Sequence, residues 1–192
     1  MLLMVLGLVV FLGTHSLRLR GNALRNGLIT RFGKKGFKGL YAVLSLAGFA
    51  AVVVGFGLAR DTPVLLWMPP AGLRHLAFLL MALALVLLAA AYVPNNGIRA
   101  RLHHPMVLSV KVWALAHLLV NGTLAHVVLF GSFLIWSVLL FSASRRHDRQ
   151  QEVVYPPGTR KATALTVVLG VLFCVVFIAW LHGLLIGIRL VA

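Results

Sequence analysis

The stretch MVLSVKVWALAHLLVNGTLAHVVLFGSFLIWSVLLFSA, Met106 to Ala143, carries one formal charge, Lys111, in 38 residues. As a single helix it would be nearly twice as long as the ~30 Å hydrocarbon core of a bilayer is thick. A projecting rod would leave its apolar surface in water, so the chain has to fold back. Asn121-Gly122 is the one turn-prone dipeptide inside the run, and Thr123 stands where it can cap a new helix. The stretch is therefore read as two antiparallel transmembrane helices, about 105–121 and 123–143.

The rest of the chain divides in the same way. Apolar blocks span Met1–Leu17, Leu40–Leu58, Leu73–Val93 and Ala162 to about Ile188. The first resembles a signal peptide in length but has neither a basic leader nor an A-x-A cleavage site. Blocks of about 20 apolar residues satisfy every backbone hydrogen bond internally when helical, whereas transmembrane strands would be shorter and alternating. The segment Thr62–Pro70 is apolar but proline-rich, so it cannot be helical throughout, and Trp67 suits an interfacial depth. Pro94-Asn-Asn-Gly97 stops the third block. The expected fold is a single all-α domain over residues 1–192, a polytopic bundle of about six helices (about 1–17, 40–58, 73–93, 105–121, 123–143 and 162–188).

Only 11% of the 192 residues are charged, three of them acidic, and 61% are apolar. A water-facing globule needs about a quarter charged. The net charge of +15 suggests a nucleic-acid ligand, but no water-exposed basic domain is left to hold one. The cations lie instead between the apolar blocks, where they meet anionic lipid headgroups. Seven fall between Arg18 and Lys38, two at Arg99 and Arg101, and five between Arg145 and Lys161. The opposite connections hold only Arg60, Arg74 and the near-terminal Arg189. By the positive-inside rule both termini face the periplasm of a bacterial inner membrane.

Eight histidines are many for a bundle in lipid, where ionisable groups are costly. On the fourth span His117 shares a face with Trp113 and Asn121; on the fifth His126 aligns with Phe130, Phe133 and Ser137. With a turn at Asn121-Gly122, His117 and His126 stand at similar depth, where two neutral imidazoles can ligate a haem iron. Equally, each can hydrogen-bond across helices. His15 lies one turn before Arg18, a pair suited to a phosphate or propionate or to headgroups. His104 precedes Pro105 at a helix start and shares a face with Lys111, which either snorkels or offsets an acidic cofactor group. Cys174, alone in an apolar block, reads as a small buried hydrophobe. Gly131 and Gly183 are expected to allow close helix approach.

Several stretches together resemble the NnrU family: Phe11-Leu-Gly-Thr-His-Ser-Leu-Arg18, Leu65-Leu-Trp-Met-Pro-Pro70, His104-Pro-Met-Val-Leu108, Lys111–Gly122 and Leu129–Trp136. The resemblance covers nearly the whole chain, and Trp-x3-His-x3-Asn-Gly is its most specific part. It implies a multi-pass membrane protein associated in bacteria with nitrite and nitric oxide metabolism, that is, with denitrification. The family is related to plant ζ-carotene isomerase, which uses haem b in a redox-dependent isomerisation. By that route His15 and His117 become haem-site candidates, which stands against the pair His117 and His126 that depth suggests. The sequence departs from the family after Asn-Gly, with Thr123 for a more usual Asp and an added His126. A hydrophobic small molecule or a membrane protein partner fits such a protein, and a cofactor-free accessory or assembly factor is the alternative function. A prenyl- or lipid-modifying methyltransferase would need acidic residues that the spans lack, and transport would need broken helices at mid-membrane.

Overall fold

A computed structural model describes residues 1–18 and 22–190, without the side chains of Arg18, Asn22 and Ala23. The expected stripe of His15 and Arg18 therefore lies in part outside the described residues, as does Arg20. The helices are α1 (Leu2–His15), α2 (Asn22–Asp61), α3 (Leu73–Tyr92), α4 (Gly97–Leu102), α5 (Pro105–Val120), α6 (Leu124–Gln150) and α7 (Arg160–Val176). A π-helical turn, Phe177–Leu181, then leads into α8 (His182–Ile186). Four stretches are long and apolar enough to cross a membrane: Leu24–Asp61, Leu73–Tyr92, Leu124–Gln150 and Arg160–Ile186. Leu2–His15 and Pro105–Val120 are shorter apolar helices. Large side chains such as Leu46, Leu79, Ile135 and Leu172 face outward, as lipid contact requires and water does not tolerate over so wide an area. The chain is an all-helical membrane protein.

The long apolar run breaks at Asn121–Thr123, between α5 and α6, as the turn signal requires. Three boundaries differ from expectation. The basic stretch after α1 is helical rather than a loop, since α2 begins at Asn22 and bends at Gly33, whose φ of 70° leaves the helical region. Leu24, Leu28 and Phe32, spaced by four, give that first part an apolar stripe. α6 continues to Gln150, because its charged end, residues 142–150, holds no glycine or proline to stop it. The short α4 is new, started by Asn96, whose side chain accepts from the Arg99 amide at 2.8 Å.

The chain forms two compact units, one of residues 1–69 and 121–144, the other of residues 70–120 and 145 onward. In the first, α1 runs antiparallel along α2 at near backbone contact. A Cβ on Gly7 would stand 2.6 Å from the Val52 nitrogen, one on Gly48 2.8 Å from the Phe11 nitrogen, and one on Gly55 2.7 Å from the Met4 Cα. Such closeness excludes side chains at these positions and multiplies dispersion contacts where no hydrophobic force separates helix from lipid. The close approaches are therefore at Gly7, Gly48 and Gly55. Gly131 faces open space and Gly183 meets only the segment that follows its own helix, at Ile188 and Arg189, against expectation. The extended Thr62–Pro69 segment hydrogen-bonds to the α5–α6 turn: Leu66 and Trp67 donate to the Gly122 carbonyl at 2.8 and 3.2 Å, and Leu124 donates to that of Val64 at 2.8 Å.

In the second unit α3 packs against α5 and α7. Ser109 donates to the Ala84 carbonyl at 2.7 Å in a buried cross-helix bond, and Gly170 lies against the Val86 backbone. The α3–α4 turn clasps the start of α7, with Thr159 donating to Asn95 and Gly97 to the Thr163 hydroxyl, each at 2.8 Å.

Candidate functional site

His15 closes α1. Its Nδ1 lies 2.8 Å from the carbonyl oxygen of Phe11, one turn earlier. A carbonyl only accepts, so Nδ1 carries a proton and donates to it. The Phe11 ring centroid is 4.2 Å from the imidazole, Tyr41 of α2 5.4 Å, and Trp136 of α6 6.4 Å and edge-on. The Trp136 indole is itself fixed, donating to Ser16 Oγ at 3.1 Å, while Ser16 donates to the Leu12 carbonyl at 2.6 Å. Phe49 and Phe133 extend this aromatic wall on the far side of Phe11, at 6.1 and 6.0 Å.

His117 repeats the arrangement in the other unit. Its Nδ1 donates to the Trp113 carbonyl at 2.9 Å, and the two rings lie 5.2 Å apart. In both places a helical aromatic-x3-His pattern fixes one tautomer by a backbone carbonyl. Protein histidines that bind metal are commonly held in this way.

His126 is set differently. Its Nδ1 faces the Thr123 hydroxyl at 2.6 Å, Phe56 of α2 stands edge-on at 5.2 Å, and Phe130 stacks at 6.0 Å. Thr123, expected as a helix cap, thus directs its hydroxyl to this ring. A hydroxyl both donates and accepts, so it does not choose the tautomer. Tyr41 marks the level of His15 on α2 and Phe56 that of His126; fifteen residues of helix separate them, roughly 22 Å at 1.5 Å per residue. The structure does not bring His15 and His126 together. Asn121 ends the α5 face at the turn, and Lys111 is half-buried in mid-helix.

His104 takes part in another cluster. Its Nε2 lies 2.8 Å from Asp148 Oδ2, at the charged end of α6, and the Tyr155 hydroxyl donates to the same oxygen at 3.0 Å. His103 stacks on Tyr155 at 4.0 Å, and its Nδ1 contacts Arg145 while standing 3.7 Å from Asp148. Burial, and then the bond to Asp148, pushes the Tyr155 hydroxyl above its ordinary pKa. Asp148 and Tyr155 do not stand out in the sequence, where both are far from His103 and His104; the one local sign is that Asp148 is among only three acids. Nor were Tyr41 and Trp136, whose only local sign is the aromatic-x3-His pattern they enclose.

Among the described residues no three His, Cys, Asp or Glu side chains converge as a metal site would need. Cys174 is buried, as expected of a small hydrophobe. No curated protein and no solved structure matches the chain. The family model described as NnrU protein matches residues 3–190, nearly its whole length, and the chain belongs to the NnrU family.

Proposed function

We propose that this protein binds haem b, with His15 and His117 each a candidate ligand, and serves nitrite and nitric oxide metabolism from the bacterial inner membrane, as a redox enzyme with isomerase-like chemistry or as a redox sensor. The observation that carries the proposal is the tautomer lock shared by His15 and His117. In both, Nδ1 donates to the carbonyl of the aromatic residue one helical turn earlier. That is the ligand type haem iron takes in helical membrane proteins. His126, whose ring faces a hydroxyl, is the weaker candidate.

The surroundings of His15 fit a large planar group. Phe11, Tyr41 and Trp136 provide apolar faces, and Trp136 is held by Ser16 so that its edge stays fixed. One buried hydroxyl beside this wall, Ser45 Oγ, lacks a hydrogen-bond partner among the described residues. When bound, the group supplies one-electron chemistry at iron; the chain supplies orientation, exclusion of water and the field of its dipoles.

Support for the orientation comes from which connections meet. The cation-poor segments 62–69 and 121–123 bond to each other, and the cation-rich 94–104 and 145–163 do likewise. Each set therefore lies at one membrane face, with the cation-rich face cytoplasmic.

An absorption spectrum of detergent-purified protein before and after dithionite tests the proposal. A Soret band that shifts on reduction is expected, lost in His117→Ala and His15→Ala and kept in His147→Ala, whose histidine is exposed in the charged end of α6. A colourless, iron-free protein overturns it and favours the accessory-factor reading.

A further inference from the structure

Hydroxyls on membrane helices ordinarily return to the carbonyl four residues back, since nothing else in lipid satisfies them. Thr14, Ser16, Thr30, Ser132 and Thr166 all do so, at 2.6 to 3.0 Å. Ser45 does not. Its Oγ is buried and, among the described residues, is the one buried side-chain polar atom without a partner. A buried unsatisfied hydroxyl costs free energy and asks for an explanation.

Its position suggests one. Ser45 lies one helical turn after Tyr41, which faces His15, and one turn before Phe49, which faces Phe11. Residues i and i+4 share a helix face, so Tyr41, Ser45 and Phe49 form a single stripe. The antiparallel register of α1 and α2, with Met4 at Gly55, Val52 at Gly7 and Phe11 at Gly48, brings Ser45 opposite the Phe11–His15 turn. The hydroxyl is thus the polar point in an otherwise aromatic wall beside the His15 imidazole.

We infer that Ser45 is a ligand-contacting residue, whose Oγ hydrogen-bonds a polar atom of the planar group held at His15. The inference rests on the haem reading above and adds a residue to it. A hydroxyl at that point does two things. It would hold the bound group in one orientation, and it would set a dipole beside that group. A dipole so placed stabilises one oxidation state over the other, in proportion to one hydrogen bond.

The test uses the full-length, pigment-loaded protein in detergent, with Ser45→Ala, Ser45→Thr and wild type compared. Alanine favours helices, so the first variant folds. Readouts are pigment per polypeptide, the position of the reduced and oxidised Soret bands, and the reduced fraction in a fixed redox buffer. Ser45→Ala is expected to keep its pigment while the oxidised-to-reduced ratio changes about fivefold, the worth of one hydrogen bond, with a shifted Soret band. Ser45→Thr, which keeps the hydroxyl, is expected to return both toward wild type. A Ser45→Ala protein with wild-type bands and ratio overturns the inference while leaving the haem reading in place. A colourless wild type overturns both.

Discussion

Gly122→Ala addresses the turn on which the six-block reading of the chain depends. A Cβ at residue 122 overlaps the Trp67 carbonyl oxygen and stands 2.9 Å from its carbon and 3.2 Å from Cδ1 of its ring. The obstacle is backbone, which cannot swing aside as the end of a flexible side chain would. Overpacking of this kind costs about 1–3 kcal/mol. The displaced strand also loses bonds from Leu66 and Trp67 to the Gly122 carbonyl, at about 0.5–1.5 kcal/mol each. Together the loss is roughly 2–6 kcal/mol. For a chain of this length each kcal/mol lowers the melting point about 2–4 °C, so a fall of roughly 4–24 °C is expected. Tryptophan fluorescence during heating in detergent measures it, since Trp67 itself sits at the contact. Gly131→Ala is the control: its Cβ enters open space, and alanine favours a helix over glycine by about 1 kcal/mol. A Gly122→Ala protein melting within about 2 °C of wild type would refute the reasoning, as would a Gly131→Ala protein destabilised as much.

Three further outcomes follow from the charged ends. Asp148→Ala removes the acceptor for both His104 and Tyr155; a loss of about 2–4 kcal/mol and faster proteolysis near Tyr155–Thr159 are expected, and an unchanged digestion pattern would count against the cluster. Because the folded pKa of Tyr155 is raised, its stabilising effect is complete below the ordinary tyrosine pKa of about 10 and fades as pH rises through the higher folded value. The 295 nm titration of wild type minus Tyr155→Phe should therefore show a component ionising above 10.0, and one ionising lower would contradict the burial argument. In a Cys174→Ser background, a membrane-impermeant maleimide applied from the periplasmic side should label Met68→Cys and spare His147→Cys. The reverse pattern inverts the topology.

The apolar blocks and their breaks were legible because both are local. Twenty apolar residues, a proline or an Asn-Gly declare themselves without knowledge of partners. The bend at Gly33 was less so, since a glycine within a basic stretch reads equally as loop or as kinked helix. The close approach of α1 and α2 could not be read at all. Gly7, Gly48 and Gly55 differ from Gly131 only in what lies across from them, and register between helices is not written in either helix alone. The same holds for the wall around His15. Tyr41 and Trp136 are distant in sequence, and only packing brings them to one imidazole. What could be read was the repeated aromatic-x3-His pattern, Phe11 with His15 and Trp113 with His117, because a hydrogen bond to the carbonyl four residues back is a property of one helix.

That distinction bears on how the topology itself is argued. Charge asymmetry is a statistical property of loops, but loops that bond to one another must share a membrane face for a physical reason: water or lipid on the two sides cannot be exchanged within a hydrogen bond. The Gly122 carbonyl accepts from Leu66 and Trp67, binding the cation-poor connections together. Asp148 accepts from Tyr155 and pairs with His104, tying the end of α6 to the start of α5. α3 begins just after the first set and ends just before the second, and its twenty residues rise about 30 Å, one hydrocarbon thickness. Within its own unit α3 is thus long enough for one crossing, and which of its ends faces the cytoplasm is a matter for the charge count.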